Sequence, residues 1–459
     1  MKLFCALNKS SLEGSCAQVA SHRPSKKLRY VILGLFLSMS WQAIADNAPR
    51  HFPPGTHKIF ISDISGVRSK LLEKIAPIVE KSIDQGLYPG AVILASHRGH
   101  IIYRGVFGNR SIIPTVEPMT FRTIFDVASL TKPVVTTTAI MQLVEQGKLD
   151  IDLPVGCYWP AFSHNGKQGI TTRELLTHTS GLAPDLTFTE NIQGKISEFG
   201  ENDVYSRVEQ QHLTHPPGTV FIYSDINFIA LGHLVEIISH EPLNDYATKH
   251  IFQPLDMDRS FYRPPAQYKN EIAPTQMISG KLRWGQVHDD TVYFMGGVSG
   301  MAGLFSDAAD LGRFAQCLVN GGRLSSGDKS NSKYLLGPLT ILKMITPQTP
   351  ANMADIHGLG WDIDTRYSNR GILFPINSYG HTGWTGTSLW IDPNTETWLV
   401  ILTSRTHPSP APVNPLIHDR KAIANIIAGS IVDISIKNNL KKMTNTGKGE
   451  LTRAYSPRN

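Results

Sequence analysis

Ser129 and Lys132 stand three residues apart in Val127-Ala128-Ser129-Leu130-Thr131-Lys132-Pro133, a spacing that sets a hydroxyl and an amine on one helix face. Pro133 is tolerated only in a first turn, where its missing N–H would be unpaired anyway. A helix is therefore predicted to start at about Ser129 and to run through Val134, Val135, Ile140, Leu143 and Val144. A serine hydroxyl is a poor nucleophile at neutral pH, and a neighbouring lysine can serve as its base if burial or a second cation lowers the amine pKa. The same two residues would equally suit an N-cap serine and an exposed helix lysine.

Two further stretches carry polar groups where a cleft could use them. Tyr223-Ser224-Asp225-Ile226-Asn227 follows the turn Pro216-Pro217-Gly218 and precedes a helix predicted from about Asn227. A tyrosine there can shuttle a proton if a cation lowers its pKa, and a side chain two residues on can orient a lysine. The structural alternative is that Asp225 caps the next helix and Tyr223 is a buried anchor. Gly380-His381-Thr382-Gly383-Trp384-Thr385-Gly386 leads into a predicted strand. Its glycines let the backbone approach a ligand, and an exposed N–H beside Gly383 could form half of an oxyanion hole. A plain glycine-rich turn is the alternative.

The elements that must position these groups are long enough to bury a sizeable core: 459 residues, 41% hydrophobic and 18% charged, are globular in composition. The formal charge of +6 is concentrated at the start, because residues 1–45 hold six basic side chains and Glu13 alone on the acidic side. Without them 38 basic and 37 acidic residues remain, a balance that gives no reason to expect a nucleic-acid partner. Those first 45 residues read as a secretory signal: Lys26-Lys27-Leu28-Arg29, an apolar run from Tyr30 to Met39, and Ala43-Ile44-Ala45 as the cleavage site before Asp46. A periplasmic or otherwise exported protein is expected. Membrane association would come only from an uncleaved signal, since the apolar run is shorter than the roughly 20 residues of a spanning helix. Cys157 and Cys317 would remain in the mature chain, as one bridge or as two thiols.

Residues 46–66 are Pro- and His-rich and read as an irregular lead-in, and residues 437–459 as a basic flexible tail. Helical spacing covers Val67 to Asp84 (Leu71, Leu72, Ile75, Ile78, Val79, Ile83), and β-rich runs at 91–95 and 101–105 form a hairpin. From Leu153 to about Pro350 helical patterns alternate with loops and strand signals are few. Strands return at Ser388 to Ile391 and Trp398 to Leu402, and a last amphipathic helix is predicted over 417–434. The fold class is thus α/β of the α+β type. An antiparallel central sheet flanked by helices is built from both ends of the chain (about 67–125 and 356–436), with a helical lobe (about 126–355) inserted.

Taken together, Ser129-x-x-Lys132, Tyr223-x-Asp225 and His381-Thr382-Gly383 resemble, in order and rough spacing, the motifs of the serine β-lactamase and penicillin-binding-protein superfamily. The likeness is closest to its class C β-lactamase-like branch of esterases, DD-peptidases and D-aminopeptidases, and it extends to residues 171–182, Pro217-Gly218 and residues 296–306. It covers about residues 67–436. The resemblance implies a sheet lobe and a helical lobe with the site between them, Ser129 as the acylated nucleophile, Lys132 and Tyr223 as the proton-transfer pair, and the N–H groups of Ser129 and Trp384 as the oxyanion hole. Asp225, His381, Thr382 and Gly383 would line the substrate. No metal or cofactor is implied. The seventeen histidines show no HExxH spacing, and His288-Asp289-Asp290 reads as a polar loop.

The expected activity is that of an exported serine hydrolase that forms an acyl-enzyme with an ester, an amide or a peptidoglycan-type peptide. A DD-carboxypeptidase or β-lactamase proper is the alternative within that class. The rival of another class is a catalytically silent protein that binds cell-wall peptides. Expected partners are small-molecule or peptide substrates, peptidoglycan fragments and β-lactams among them. Two residues depart from the family pattern. Asp225 stands where class C enzymes usually have Asn, and its carboxylate should hold the Lys132 pKa up. His381 stands where β-lactamases carry a lysine, and a histidine only partly charged at neutral pH should attract a substrate carboxylate less.

Overall fold

The computed structural model describes residues 52–187, 200–324 and 333–434. The signal expected over 1–45 and the tail expected over 437–459 lie outside those residues. A nine-stranded sheet forms the centre. Its main strands are β1 (Thr56–Ile61), β2 (Gly90–His97), β3 (His100–Ser111), β4 (Ile356–His357), β5 (Asp362–Asp364), β6 (Tyr379–Thr382), β7 (Ser388–Asp392) and β8 (Thr397–Thr403). They pair antiparallel in the order β1-β3-β2-β8-β7-β6-β5-β4. Among the described residues between β3 and β4 the chain adds to this sheet only the short strand Glu117–Pro118, which pairs with β3. The sheet is therefore built from the two ends, as the β-rich runs predicted.

Side-chain alternation explains why both faces are covered. Val92 and Leu94 of β2, with Val400 and Leu402 of β8, bury into one core, while Ala91, Ile93 and Ala95, with Leu399 and Ile401, bury into another. Successive strand residues point to opposite faces, so each strand feeds both cores. Helices α1 (Ile75–Asp84) and α5 (Val413–Ser430) cover the second face through Ile75, Val79, Leu416, Ile423 and Ile427. Helix α4 (Ala308–Val319) covers the first with Leu311, Phe314 and Leu318. Each fully buried Val, Leu or Ile contributes about 1.5–3 kcal/mol.

The inserted segment brings α2 (Thr138–Glu145), α3 (Asp225–Ser239) and a small sheet of Phe125–Asp126, Leu304–Ser306 and Phe261–Tyr262. Several sequence readings need correcting. Residues 46–66 are not wholly irregular, because β1 adds an edge strand to β3; its inner residues are exposed, so no polar–apolar alternation marked it. The segment from Ser129 is not one continuous α-helix. Ala128–Leu130 forms a 3₁₀ turn, Lys132–Thr137 a wide π turn, and the α-helix begins at Thr138, since Pro133 cannot donate to the usual ladder. Helix α3 starts at Asp225 with Ser224 at its cap position, so Asp225 is a first-turn residue and not the cap. Helix α5 begins four residues before the predicted 417 and ends at Ser430. Cys157 and Cys317 are free thiols, the first exposed and the second buried.

Candidate active site

Ser129 lies at the floor of a cleft of about 1290 Å³ whose lining also includes Tyr223, Asp225, His381, Thr382, Gly383 and Trp384. Lys132 sits beneath them, fully buried. The turn before the serine is strained: Ala128 has φ +48°, a left-handed conformation that costs a residue with a Cβ about 1–2 kcal/mol. Asp126 holds it by accepting the Ala128 N–H at 2.8 Å, and its other carboxylate oxygen accepts the His288 N–H at 2.6 Å.

The Lys132 ammonium is surrounded by acceptors: Ser129 Oγ at 3.0 Å, the Met301 carbonyl at 2.8 Å and Asp225 Oδ1 at 2.6 Å, with the Tyr223 hydroxyl beside them. Met301 is brought there by the glycine-rich stretch 296–303. A Cβ on Gly300 would lie 2.1 Å from the Phe228 carbonyl, so only glycine lets this loop pack against α3. Burial alone would lower the lysine pKa, but the Asp225 carboxylate and then Tyr223 outweigh it and raise the pKa above its ordinary value. The ring of Tyr223 lies 5.1 Å from Nζ, and its hydroxyl hydrogen-bonds with Ser129 and Lys132. Burial raises the phenol pKa, with Lys132 opposing and Asp225 adding to the rise. An ammonium with every proton engaged cannot accept the serine proton in the resting state, whereas the Tyr223 oxygen can once it is ionised.

Strand β6 ends against the serine turn. A Cβ on Gly383 would fall 2.5 Å from the Val127 carbonyl and 2.2 Å from Thr387 Oγ1. Thr385 Oγ1 donates to the Asp126 carbonyl at 2.7 Å, and Thr387 Oγ1 to the Val127 carbonyl at 2.9 Å. These two threonines fasten residues 383–387 to the segment before Ser129. Among the described residues neither the Ser129 nor the Trp384 backbone N–H has a protein acceptor, so both are free to donate to a bound oxygen. The Trp384 ring is 58% exposed at the cleft, stacked 4.5 Å from the Arg405 guanidinium.

His381 is buried, and its Nδ1 donates to the Thr382 carbonyl at 2.9 Å. Burial, then Lys132 and His357, push its pKa down to about 3. It is neutral throughout the physiological range, which corrects the expectation of partial charge: a sequence cannot show that the imidazole is packed beside an ammonium. His357, also at the cleft, is pushed down to about 4 by burial.

Motif spacing did not mark Asp289 and Asp185. Both line the cleft. Asp289 caps the helix Asp290–Phe294 by accepting the Val292 N–H at 2.9 Å. Burial pushes it up to about 7, opposed by that N–H and reinforced by Asp225 and Asp185. The supposed polar loop at 288–290 is thus a wall of the site, and only the fold brings it to Ser129.

The site just described can be set beside known proteins. The beta-lactamase family profile matches residues 75–422. Proteins of Salmonella schwarzengrund and Salmonella typhi, provisionally named D-alanyl-D-alanine carboxypeptidase, are 30% identical over 407 residues, covering 81% of this chain and 91% of theirs. Among solved structures, EstCE1, a hydrolase with promiscuous acyltransferase activity, superposes with a TM-score of 0.62 at 21% identity over 78% of this chain and 99% of its own. A penicillin-binding-protein homologue from Caulobacter crescentus gives a TM-score of 0.62 at 17% identity over 79% of this chain and 99% of its own. These two likenesses concern the fold.

Proposed function

The chain belongs to the beta-lactamase family and is a serine hydrolase, and on that premise we infer that it is exported and cleaves esters or amides through an acyl-enzyme on Ser129. One observation carries this reading. Lys132 Nζ is within 3.0 Å of Ser129 Oγ and 2.6 Å of Asp225 Oδ1 at the floor of an open cleft. An ammonium so placed has no structural task that a smaller apolar residue could not do, and burying it is costly without function.

In this mechanism the ionised fraction of Tyr223, small at neutral pH because burial raises the phenol pKa and larger as pH rises, takes the Ser129 proton as Oγ attacks the carbonyl carbon. The Ser129 and Trp384 N–H groups receive the developing oxyanion. The proton then passes from Tyr223 to the leaving group, and a water entering by the same route hydrolyses the ester. His381 and Thr382 line the strand edge along which the substrate lies. Because His381 is neutral, the favoured substrates are those whose recognition needs no cation at that position: neutral esters and amides.

A second reading, a D-alanyl-D-alanine carboxypeptidase, is supported by the name of the 30% identical relatives. Intact-protein mass after exposure to a fluorophosphonate and, separately, to benzylpenicillin tests both. A fluorophosphonate adduct on wild type that is absent from Ser129→Ala is expected. No adduct from either reagent would leave only the silent binding protein. Export is tested by amino-terminal sequencing of protein recovered from a fractionated host, with a start near Asp46 expected and an intact Met1 in the cytoplasm counting against it.

A further inference from the structure

Two arginines are buried against the 383–387 turn, Arg420 also reaching the cleft wall, and neither touches substrate in the mechanism above. Arg420 of α5 is 3% exposed and Arg405, just after β8, is 2% exposed. Nη2 of Arg420 donates to the Gly383 carbonyl at 3.2 Å and to the Thr387 carbonyl at 2.8 Å. Arg405 donates through Nε and Nη2 to the Trp384 carbonyl, at 3.1 and 2.7 Å, and through Nη1 to the Ala411 carbonyl. Burial lowers the pKa of both guanidinium groups, Arg405 adds to the lowering of Arg420, and no carboxylate is among the groups that offset it. Buried cations are ordinarily paired with anions because desolvating them alone is expensive. Here two are spent on the carbonyls of one short turn.

The peptide that Arg420 grips is the one whose other end is the Trp384 N–H. A trans peptide places its N–H opposite its carbonyl, so fixing the Gly383 oxygen fixes where the Trp384 N–H points. A charge-assisted hydrogen bond at the carbonyl also polarises the unit and makes the N–H a better donor. We propose that Arg420 is a positioning residue of the oxyanion hole, holding the Gly383–Trp384 peptide through its carbonyl, with Arg405 fixing the next carbonyl. The proposal rests on the acyl-enzyme reading above and deepens it: it adds a requirement outside the three motifs.

The test compares an O-aryl ester with the thionoester of the same acyl group, whose sulfur accepts hydrogen bonds poorly, in full-length wild type, Arg420→Met and Arg420→Lys. Loss of an aligned oxyanion donor costs about 100-fold or more. Arg420→Met should lower kcat/KM for the ester by about that factor and for the thionoester far less, so that the ester-to-thionoester ratio collapses. Arg420→Lys should keep part of the ratio, and added guanidinium should restore activity to Arg420→Met. Complete end-point labelling of the variants by fluorophosphonate shows Ser129 intact, which separates failure of this proposal from failure of the acyl-enzyme reading. An unchanged ratio in a labelled variant overturns the proposal. So does a loss confined to carboxylate-bearing substrates, which would make Arg420 a substrate ligand. If Arg420→Met does not fold, the ratio in Arg420→Lys decides.

Discussion

The Asp225 carboxylate is 2.6 Å from Lys132 Nζ, nearer than the 3.0 Å that separates the same nitrogen from Ser129 Oγ. The lysine therefore belongs first to the aspartate. Lys132 is fully buried and Asp225 a quarter exposed, so the pair is screened little on the lysine side.

Asp225→Asn should shift the pH profile in a defined direction. Asp225 raises the pKa of both Lys132 and Tyr223, so its removal lowers both and increases the free base at a given pH. The alkaline-rising limb of kcat/KM for an ester should move to lower pH, by about one unit for each 1.4 kcal/mol of lost interaction. An unmoved limb would mean that neither group is the base. Stability should fall by about 3 kcal/mol near neutrality, because a buried ammonium loses its counter-ion. Since the folded lysine pKa is raised, that loss is fully present below pH 10.5 and fades only as pH rises through the folded value.

Ser129→Ala should abolish labelling and hydrolysis at nearly unchanged stability. Ser129 Oγ accepts from Lys132 Nζ at 3.0 Å, so the melting transition should move by no more than the loss of one such hydrogen bond, about 1 kcal/mol, would produce. Residual labelling measured by mass would remove Ser129 from its role.

Much of this site could be read from spacing because its parts are local. Ser129 and Lys132 share a turn, Tyr223 and Asp225 flank a helix start, and the glycines at 380 and 383 announce a close approach. What spacing could not carry is whatever burial decides. His381 loses its charge to burial first, then to Lys132 and His357, which are 249 and 24 residues away in the chain. Asp289 becomes a cleft wall through the fold, and Arg420 reaches Gly383 from a helix that periodicity placed four residues late. Edge strand β1 escaped because a strand with exposed inner residues has no alternation to detect.

Gly383→Ala should separate folding from catalysis. The added methyl would meet Thr387 Oγ1 and the Val127 carbonyl at well under contact distance, forcing β6 away from the serine turn. Overpacking of this kind costs about 1–3 kcal/mol, which thermal unfolding should register, while ester kcat/KM should fall about 100-fold through the displaced Trp384 N–H. Wild-type activity in a destabilised variant would show that the close approach is structural only.

The last expectation concerns His381 and substrate charge. With its pKa pushed down to about 3 by burial, Lys132 and His357, the imidazole does not titrate between pH 5.5 and 8.5. The wild-type ratio of kcat/KM for a neutral short-chain ester to that for benzylpenicillin should then favour the ester and carry no limb from His381; the cleft carboxyls pushed up into this range, Asp289 to about 7 and Asp126 and Asp362 to about 6, are the groups that can bend it. An unperturbed histidine would instead make the ratio rise with pH around 6.5. In His381→Lys the new amine would lie near the Lys132 ammonium, which lowers its pKa until a substrate carboxylate arrives to pair with it. A hydrogen bond to a charged group is worth about 1.5–3 kcal/mol, so the preference should move towards penicillin by about tenfold or more, and by more at pH 6 than at pH 8. If the wild-type ratio carries a limb that His381→Asn removes, the imidazole is less buried than its neighbours imply. If lysine brings no gain for penicillin, position 381 does not meet the substrate carboxylate, and recognition falls to the other cations on the cleft wall, Arg366, Arg420 and Lys421.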